Sequence, residues 1–332
     1  MRFDKLTVVM TLYNYERFAA PCLDAYVAQT VYPFEILLVD DGSEDGTPAI
    51  LREYAERYPD LFRVLLLPHV GLNPALTVAM KEVKTEFIYP AAADDFPRPG
   101  MIQALQQGYE INPNAGLVTM NYDLWLDDGR CLPDREPKPF RVDSGIKLSR
   151  APEYLAPDEL VRRILKSGTH PIGLAMYRLQ DWLKSPAQNR NLRHYQDFLV
   201  NYSHALRGGI VHFPEPQLDF RLAVTSYGNQ GRYNSLLEIA TCRRFLEVLC
   251  EPGCDDIRQR FLNSQALGFL GWRLFLAALS LPTCWPYLSK LLSRRLLLTG
   301  TYLDLCYLLS PIYRYVAPYI RKKPGMHNVK PS

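Results

Sequence analysis

The first hundred residues alternate between two kinds of segment. Residues 6–12 (LTVVMTL), 34–39 (FEILLV), 62–67 (FRVLLL) and 85–90 (TEFIYP) are short apolar runs of strand length, rich in β-branched and aromatic side chains. Between them, residues 19–29, 47–58 and 72–83 carry helical spacing, and 42–46 reads as a turn. Continuous apolar runs are what strands covered on both faces require. Strands alternating with helices at this spacing predict an α/β fold, a mainly parallel sheet flanked by helices.

Beyond residue 126 the pattern breaks into a proline-rich, charged stretch (LDDGRCLPDREPKPFRVDSG), predicted to be a long loop or lid. A helix at 157–167, an apolar segment at 172–177 and a helix at 195–206 follow, with no internal repeat and no low-complexity tract. From about Leu267 the chain is strongly apolar (GFLGWRLFLAALSL, PTCWPYL, LLLTGTYLDLCYLLSPIYRYVAPYI), which predicts a C-terminal α-helical extension. Arg273, Pro282, Pro286, Lys290, Asp304 and Pro311 interrupt every run before the ~20 apolar residues that a membrane-spanning helix needs.

At 332 residues the chain is long enough for two domains of ~150 residues, placed here at 1–230 and 231–332. With 48% hydrophobic and 22% charged residues it is excluded from the disordered, collagen-like and disulfide-scaffold classes. The formal net charge of +3 gives no support for a nucleic-acid partner, but its distribution is uneven. From Lys290 onward eight basic residues face one acid, leaving the preceding part of the chain negative. Apolar and aromatic faces beside Lys and Arg suit helices lying on an anionic membrane surface, here the inner membrane. The alternative is that these helices pack on the N-terminal domain or form a homo-oligomer.

The seven cysteines are odd in number, scattered and without CxxC pairing, which points to a reducing cytoplasm and away from a zinc site. The start of the chain, MRFDKLTVVMTLYNYERF, does not read as a signal peptide. The expected location is therefore cytoplasmic, peripheral on the cytoplasmic face of the membrane.

In open α/β sheets ligands bind beyond the carboxyl ends of the strands. Three such ends carry polar residues: Thr11 to Asn14 after the first strand, Asp40-Asp41-Gly42-Ser43 after the second, and Asp94-Asp95 after the fourth. A carboxylate released from a buried strand accepts hydrogen bonds from an imide or from sugar hydroxyls, although DDGS is also a common turn sequence. Two adjacent carboxylates form a hard-oxygen site for Mg or Mn when substrate phosphates complete the shell. No GxGxxG follows the first strand, which argues against a dinucleotide-dependent oxidoreductase, and no GxxxxGK[ST] occurs, which excludes a P-loop enzyme.

The ordered set of motifs over residues 5–230 resembles glycosyltransferase family 2, the inverting nucleotide-sugar transferases of GT-A fold, itself Rossmann-like. The matches are VVMTLYNYE, VDDGSEDGT, YPAAADDF, Tyr195-Gln196-Asp197-Phe198-Leu199 and Leu218-Asp219-Phe220-Arg221-Leu222. The resemblance implies that Thr11 and Tyr13 line the nucleoside pocket and that Asp41 reads the uracil or thymine edge of a UDP- or dTDP-sugar. It implies that Asp94 faces the donor's ribose or sugar, that Asp95 holds a divalent Mn or Mg, and that Asp197 is the catalytic base. His170, in SGTHPIG, falls where acceptor-side residues are expected. The implied acceptor is a glycan or a lipid-linked molecule of cell-surface glycan synthesis.

Several positions depart from the family pattern. Ala92 stands where many members carry an acid, Gln196 stands before the base in place of Glu, and His69-Val70-Gly71 and Ala75-Leu76-Thr77 replace an Asn-x-Gly and an Ala-Arg-Asn triplet. The phosphate-facing arginine is thus missing from that segment. These losses keep open a second reading, a catalytically degenerate nucleotide-sugar-binding or scaffolding protein.

Overall fold

The computed structural model describes residues 1–126, 149–167, 174–187, 192–193, 195–222, 235–264, 266–267 and 271–288. The predicted strand–helix alternation appears as β1 (Arg2–Leu12), α1 (Glu16–Val27), β2 (Tyr32–Asp41), α2 (Thr47–Arg57), β3 (Phe62–Leu67), α3 (Leu72–Glu82) and β4 (Phe87–Ala91). These four strands are mutually parallel, in the order β3-β2-β1-β4. Their apolar runs are continuous because both faces are covered. Val8 and Met10 of β1 and Ile36 and Leu38 of β2 enter one core, while Val9, Leu37 and Val39 enter the other.

The sheet continues as β8 (Ala175–Arg178), β6 (Leu117–Leu126), β9 (Ile210–Leu222) and β5 (Phe96–Pro97), with β7 (Glu153–Leu155) also pairing β9. This half is mixed: β8 runs antiparallel to both neighbours, whereas β6 and β9 are parallel. Pro214 and Pro216 lie within β9 and donate no hydrogen bond, so the ladder with β6 shifts register around Asn121. The Asn121 side chain repairs the gap by donating to Pro214 O at 2.6 Å. Arg98, just past β5, bonds Asp219 of β9 at 3.0 Å and Asp123 of β6 at 2.6 Å.

Helix α4 (Met101–Ile111) covers the core face shared with α1 and α2. The opposite face carries α5 (Pro157–Ser167), α6 (Leu179–Leu183) and α7 (Tyr195–Gly208). Against α7 pack α8 (Ser235–Leu249) and α9 (Asp255–Ser264), while α10 (Gly271–Leu279) packs on α8 and is followed by a 3-10 turn, Pro282–Tyr287. The junction is aromatic: Phe198 of α7 lies 5.9 Å from Phe245 and 6.0 Å from Phe261, centroid to centroid. The described part of the C-terminal region, up to residue 288, is helical and shares one core with α7. Among the described residues no helix is long and apolar enough to cross a membrane. The basic segment from Lys290 onward lies outside the described residues, as do His170 and all of the predicted loop or lid at 127–150 except its last two residues.

Candidate active site

The loops after β1 and β2 are locked to each other by side chains of the DGSEDGT segment. Ser43 Oγ accepts from Asn14 N at 2.9 Å, Thr47 Oγ1 from Tyr15 N at 2.8 Å and Asp45 Oδ2 from Glu16 N at 3.1 Å. In return Asn14 Oδ1 accepts from Glu44 N and Glu16 Oε2 from Gly46 N. These bonds satisfy donors at the starts of α1 and α2, which no intrahelical carbonyl can reach. Much of this motif therefore serves the loops themselves.

Asp41 is buried at the end of β2, and its carboxylate is engaged by the segment after β3. Oδ1 accepts from Val70 N at 2.8 Å, and Oδ2 accepts from Gly71 N at 2.9 Å and lies 3.0 Å from His69 Nδ1. His69 in turn stacks on Tyr13, with centroids 4.1 Å apart and planes at 23°. Gly42 permits this approach: its φ is +72°, and a Cβ there would lie 2.6 Å from His69 N. Tyr13 and Asp41, which the family resemblance assigns to one nucleoside pocket, are thus joined through His69, a position where the chain departs from the family pattern. Its position directly after β3, at the same sheet edge, was the available signal.

A cavity of about 240 Å³ opens beside this platform. Thr11, Tyr15, Asn73, Tyr177, Gln196 and Asp197 are among its lining residues, so it brings Thr11 together with Asp197 from α7. Asp197 is exposed in the first turn of α7, where the helix dipole favours an anion. Tyr195, the first residue of that helix, donates to Glu238 of α8 at 2.7 Å, and burial pushes its phenol pKa well up.

The acidic pair follows β4 and is not among the cavity's lining residues, although Ala91 and Ala92 just before it are. Arg221, at the end of β9, holds both members: its NH1 donates to Asp94 Oδ2 at 2.9 Å and its backbone N–H to Asp95 Oδ1 at 3.1 Å. Burial, then the neighbouring Asp94 charge, raises the Asp95 carboxyl well above the usual range. The same causes push the Tyr15 phenol up to about 12: burial first, then Asp94 and Asp95.

Asp95 Oδ2 is buried without a hydrogen-bond partner among the described residues, an orphaned oxygen that calls for a cation or a proton. Among the described residues no group of three or more His, Cys, Asp or Glu gathers as a metal cage. The pair therefore suits Mg or Mn only in the form in which substrate phosphates supply the remaining ligands.

Residues 7–135 match the family model "Glycosyl transferase family 2". Over these residues the chain resembles glycosyltransferase family 2. The matched segment contains Thr11, Tyr13, Asp41, Asp94 and Asp95, while Asp197 and Arg221 lie beyond its end. The chain is 25% identical over 219 residues to Uncharacterized protein Rv1520 of Mycobacterium tuberculosis, covering 65% of this chain and 58% of that protein. It is 31% identical over 107 residues to the Uncharacterized glycosyltransferase EpsJ of Bacillus subtilis, 32% of this chain and 31% of that protein. The chain thus spans less than two thirds of the length of these relatives.

Among solved structures, mannosyltransferase PcManGT from Pyrobaculum calidifontis, in complex with GDP-Man and Mn2+, aligns with a TM-score of 0.53 at 18% identity, covering 93% of this chain and 87% of that one. S. aureus TarS 1-349 aligns with a TM-score of 0.51 at 18% identity, covering 94% and 91%. These alignments show a GT-A fold for the chain.

Proposed function

We propose that the protein is an inverting, metal-dependent glycosyltransferase that moves a sugar from a UDP- or dTDP-sugar to a glycan or lipid-linked acceptor of cell-surface glycan synthesis. The observation that carries this reading is the shared cavity. Thr11 at the end of β1 and Asp197 at the start of α7 line one space large enough for a sugar-sized group. Tyr13, His69 and Asp41 form the nucleoside side, and Asp94 and Asp95 the diphosphate side.

In this scheme Asp197 takes the proton from the acceptor hydroxyl as that oxygen attacks the anomeric carbon. The diphosphate leaves from the opposite face, so the configuration inverts. A Mn or Mg ion held by Asp95 with Asp94 would neutralise the charge that grows on the leaving diphosphate. Tyr15, kept neutral between the acidic pair and the cavity, remains able to donate a hydrogen bond there.

The cytoplasmic, membrane-peripheral part of the proposal rests on the basic stretch from Lys290 and on the apolar residues that precede it. Trp285 is 57% exposed, and Leu276 and Leu279 of α10 are also exposed. Co-sedimentation with anionic vesicles tests it, since a chain truncated after 288 is then expected to stay in the supernatant.

The activity is tested by calorimetry with UDP, dTDP and GDP, with and without Mn, on the wild-type protein and Asp95→Ala. Metal-dependent binding of one nucleotide, lost in the variant, supports donor class and metal site together. Absence of binding to all three overturns the donor reading and favours a scaffolding protein.

A further inference from the structure

Arg221 joins three elements at the acidic pair. Its main chain bonds Asp95 and its guanidinium bonds Asp94, while the guanidinium carbon lies 3.9 Å from the centroid of the Phe18 ring on α1. The contact is sheltered, with the Arg221 side chain 15% and the Asp94 side chain 12% exposed. It is therefore far less screened than a surface ion pair. The positive charge that two adjacent buried carboxylates demand is supplied here by the chain itself.

We propose that Arg221 is an internal counter-cation of the acidic pair, with which a divalent ion must compete for Asp94. This inference rests on the donor-and-metal reading above and adds to it a reason for metal and donor to arrive together. Two cations on one carboxylate repel, and a guanidinium leaving its partner in a sheltered site needs another anion. A nucleoside diphosphate provides that anion, in a geometry suited to the planar fork of arginine. Metal binding and diphosphate binding then favour each other by the same factor, as linkage requires. Arg221 acts as a positioning residue whose place is set by Phe18 and by the end of β9.

The test follows free Mn2+ by electron paramagnetic resonance with the full chain, comparing wild type, Arg221→Met and Phe18→Leu, each with and without UDP, dTDP or GDP. Without nucleotide, Arg221→Met is expected to bind Mn2+ about tenfold more tightly than wild type, the worth of one charge-assisted hydrogen bond. The factor by which nucleotide tightens Mn2+ binding is expected to shrink in that variant. Thermal melts establish that the variants are folded. If Arg221→Met does not fold, Phe18→Leu, which removes only the face under the guanidinium, carries the same test with a smaller gain. Nucleotide-free Mn2+ binding that is unchanged or weaker in the folded variant overturns the proposal. Tighter binding without any response to the nucleotides upholds the competition for Asp94 and removes the donor reading.

Discussion

Tyr195 Oη donates to Glu238 Oε2 at 2.7 Å, with both residues buried, and this bond ties the start of α7 to the first turn of α8. Asp197 is two residues further along the same turn. Tyr195→Phe removes the donor and leaves a carboxylate oxygen of Glu238 without it, at a cost of about 1–3 kcal/mol. The expected result is a lower melting temperature and reduced turnover with unchanged nucleotide affinity, because the loops after β1 and β2 do not depend on this bond. Melting curves and nucleotide calorimetry on the same preparation check both halves.

Asp197→Asn preserves the shape of the side chain and removes its basicity. Turnover is expected to fall by about 10²–10⁴ while nucleotide binding and stability remain near wild type. A variant that turns over as fast as the parent would show that another group accepts the proton.

Gly42 stands at φ +72° with no room for a side chain beside His69. Gly42→Ala is expected to destabilise the protein by about 1–3 kcal/mol and to weaken nucleotide binding by shifting His69 away from Tyr13. Urea midpoints and nucleotide calorimetry read the two effects separately. Loss of stability with unaltered nucleotide affinity would sever the Tyr13–His69 stack from donor recognition.

His212 is buried on β9, with Nδ1 2.6 Å from Ser149 Oγ and Nε2 3.1 Å from Asn121 Oδ1. Asn121 spends its amide donor on Pro214 O, which leaves its oxygen to accept from Nε2. Burial first, then Arg163, lowers the His212 pKa to about 4, below the ~6.5 of an unfolded chain. Between these values the unfolded state binds the proton and the folded state does not. The stabilisation is therefore complete above pH ~6.5 and is lost as the pH falls toward 4, with a slope of up to ~1.4 kcal/mol per pH unit. Stability measured from pH 7 down to 4.5 is expected to decline less steeply in His212→Asn than in wild type. Equal slopes would refute the assignment.

The parallel block β1 to β4 was legible because each strand is a continuous apolar run, a signal that needs no knowledge of its neighbours. Strands β5 and β7 are two and three residues long and exist only because β9 offers them partners, so no local pattern marks them. Strand β9 contains Pro214 and Pro216, which argue locally against a strand and are tolerated through the register shift with β6. At the candidate site, motif order identified Thr11 and Asp197, and they do line one cavity. His69, Glu238 and the clamp by Arg221 escaped because their partners are remote in the chain: Arg221 is 127 residues from Asp94 and Glu238 is 43 from Tyr195. Side chains of ordinary type acquire such roles only through contacts that the completed fold creates.

The interlock of Asn14, Ser43, Asp45, Glu16 and Thr47 closes the first two loops on themselves, whereas α7 is bound to α8 and α9 through Tyr195 and Phe198. This arrangement sets where the chain can be cut and rejoined with a related one. A graft that exchanges α7 alone would leave Glu238 and the Phe245–Phe261 face without their partners. One that carries residues 195–288 as a block transplants Asp197, the proposed base, together with its support and leaves the loops after β1 and β2 untouched. Recombination between relatives would accordingly exchange this region in units larger than α7 alone.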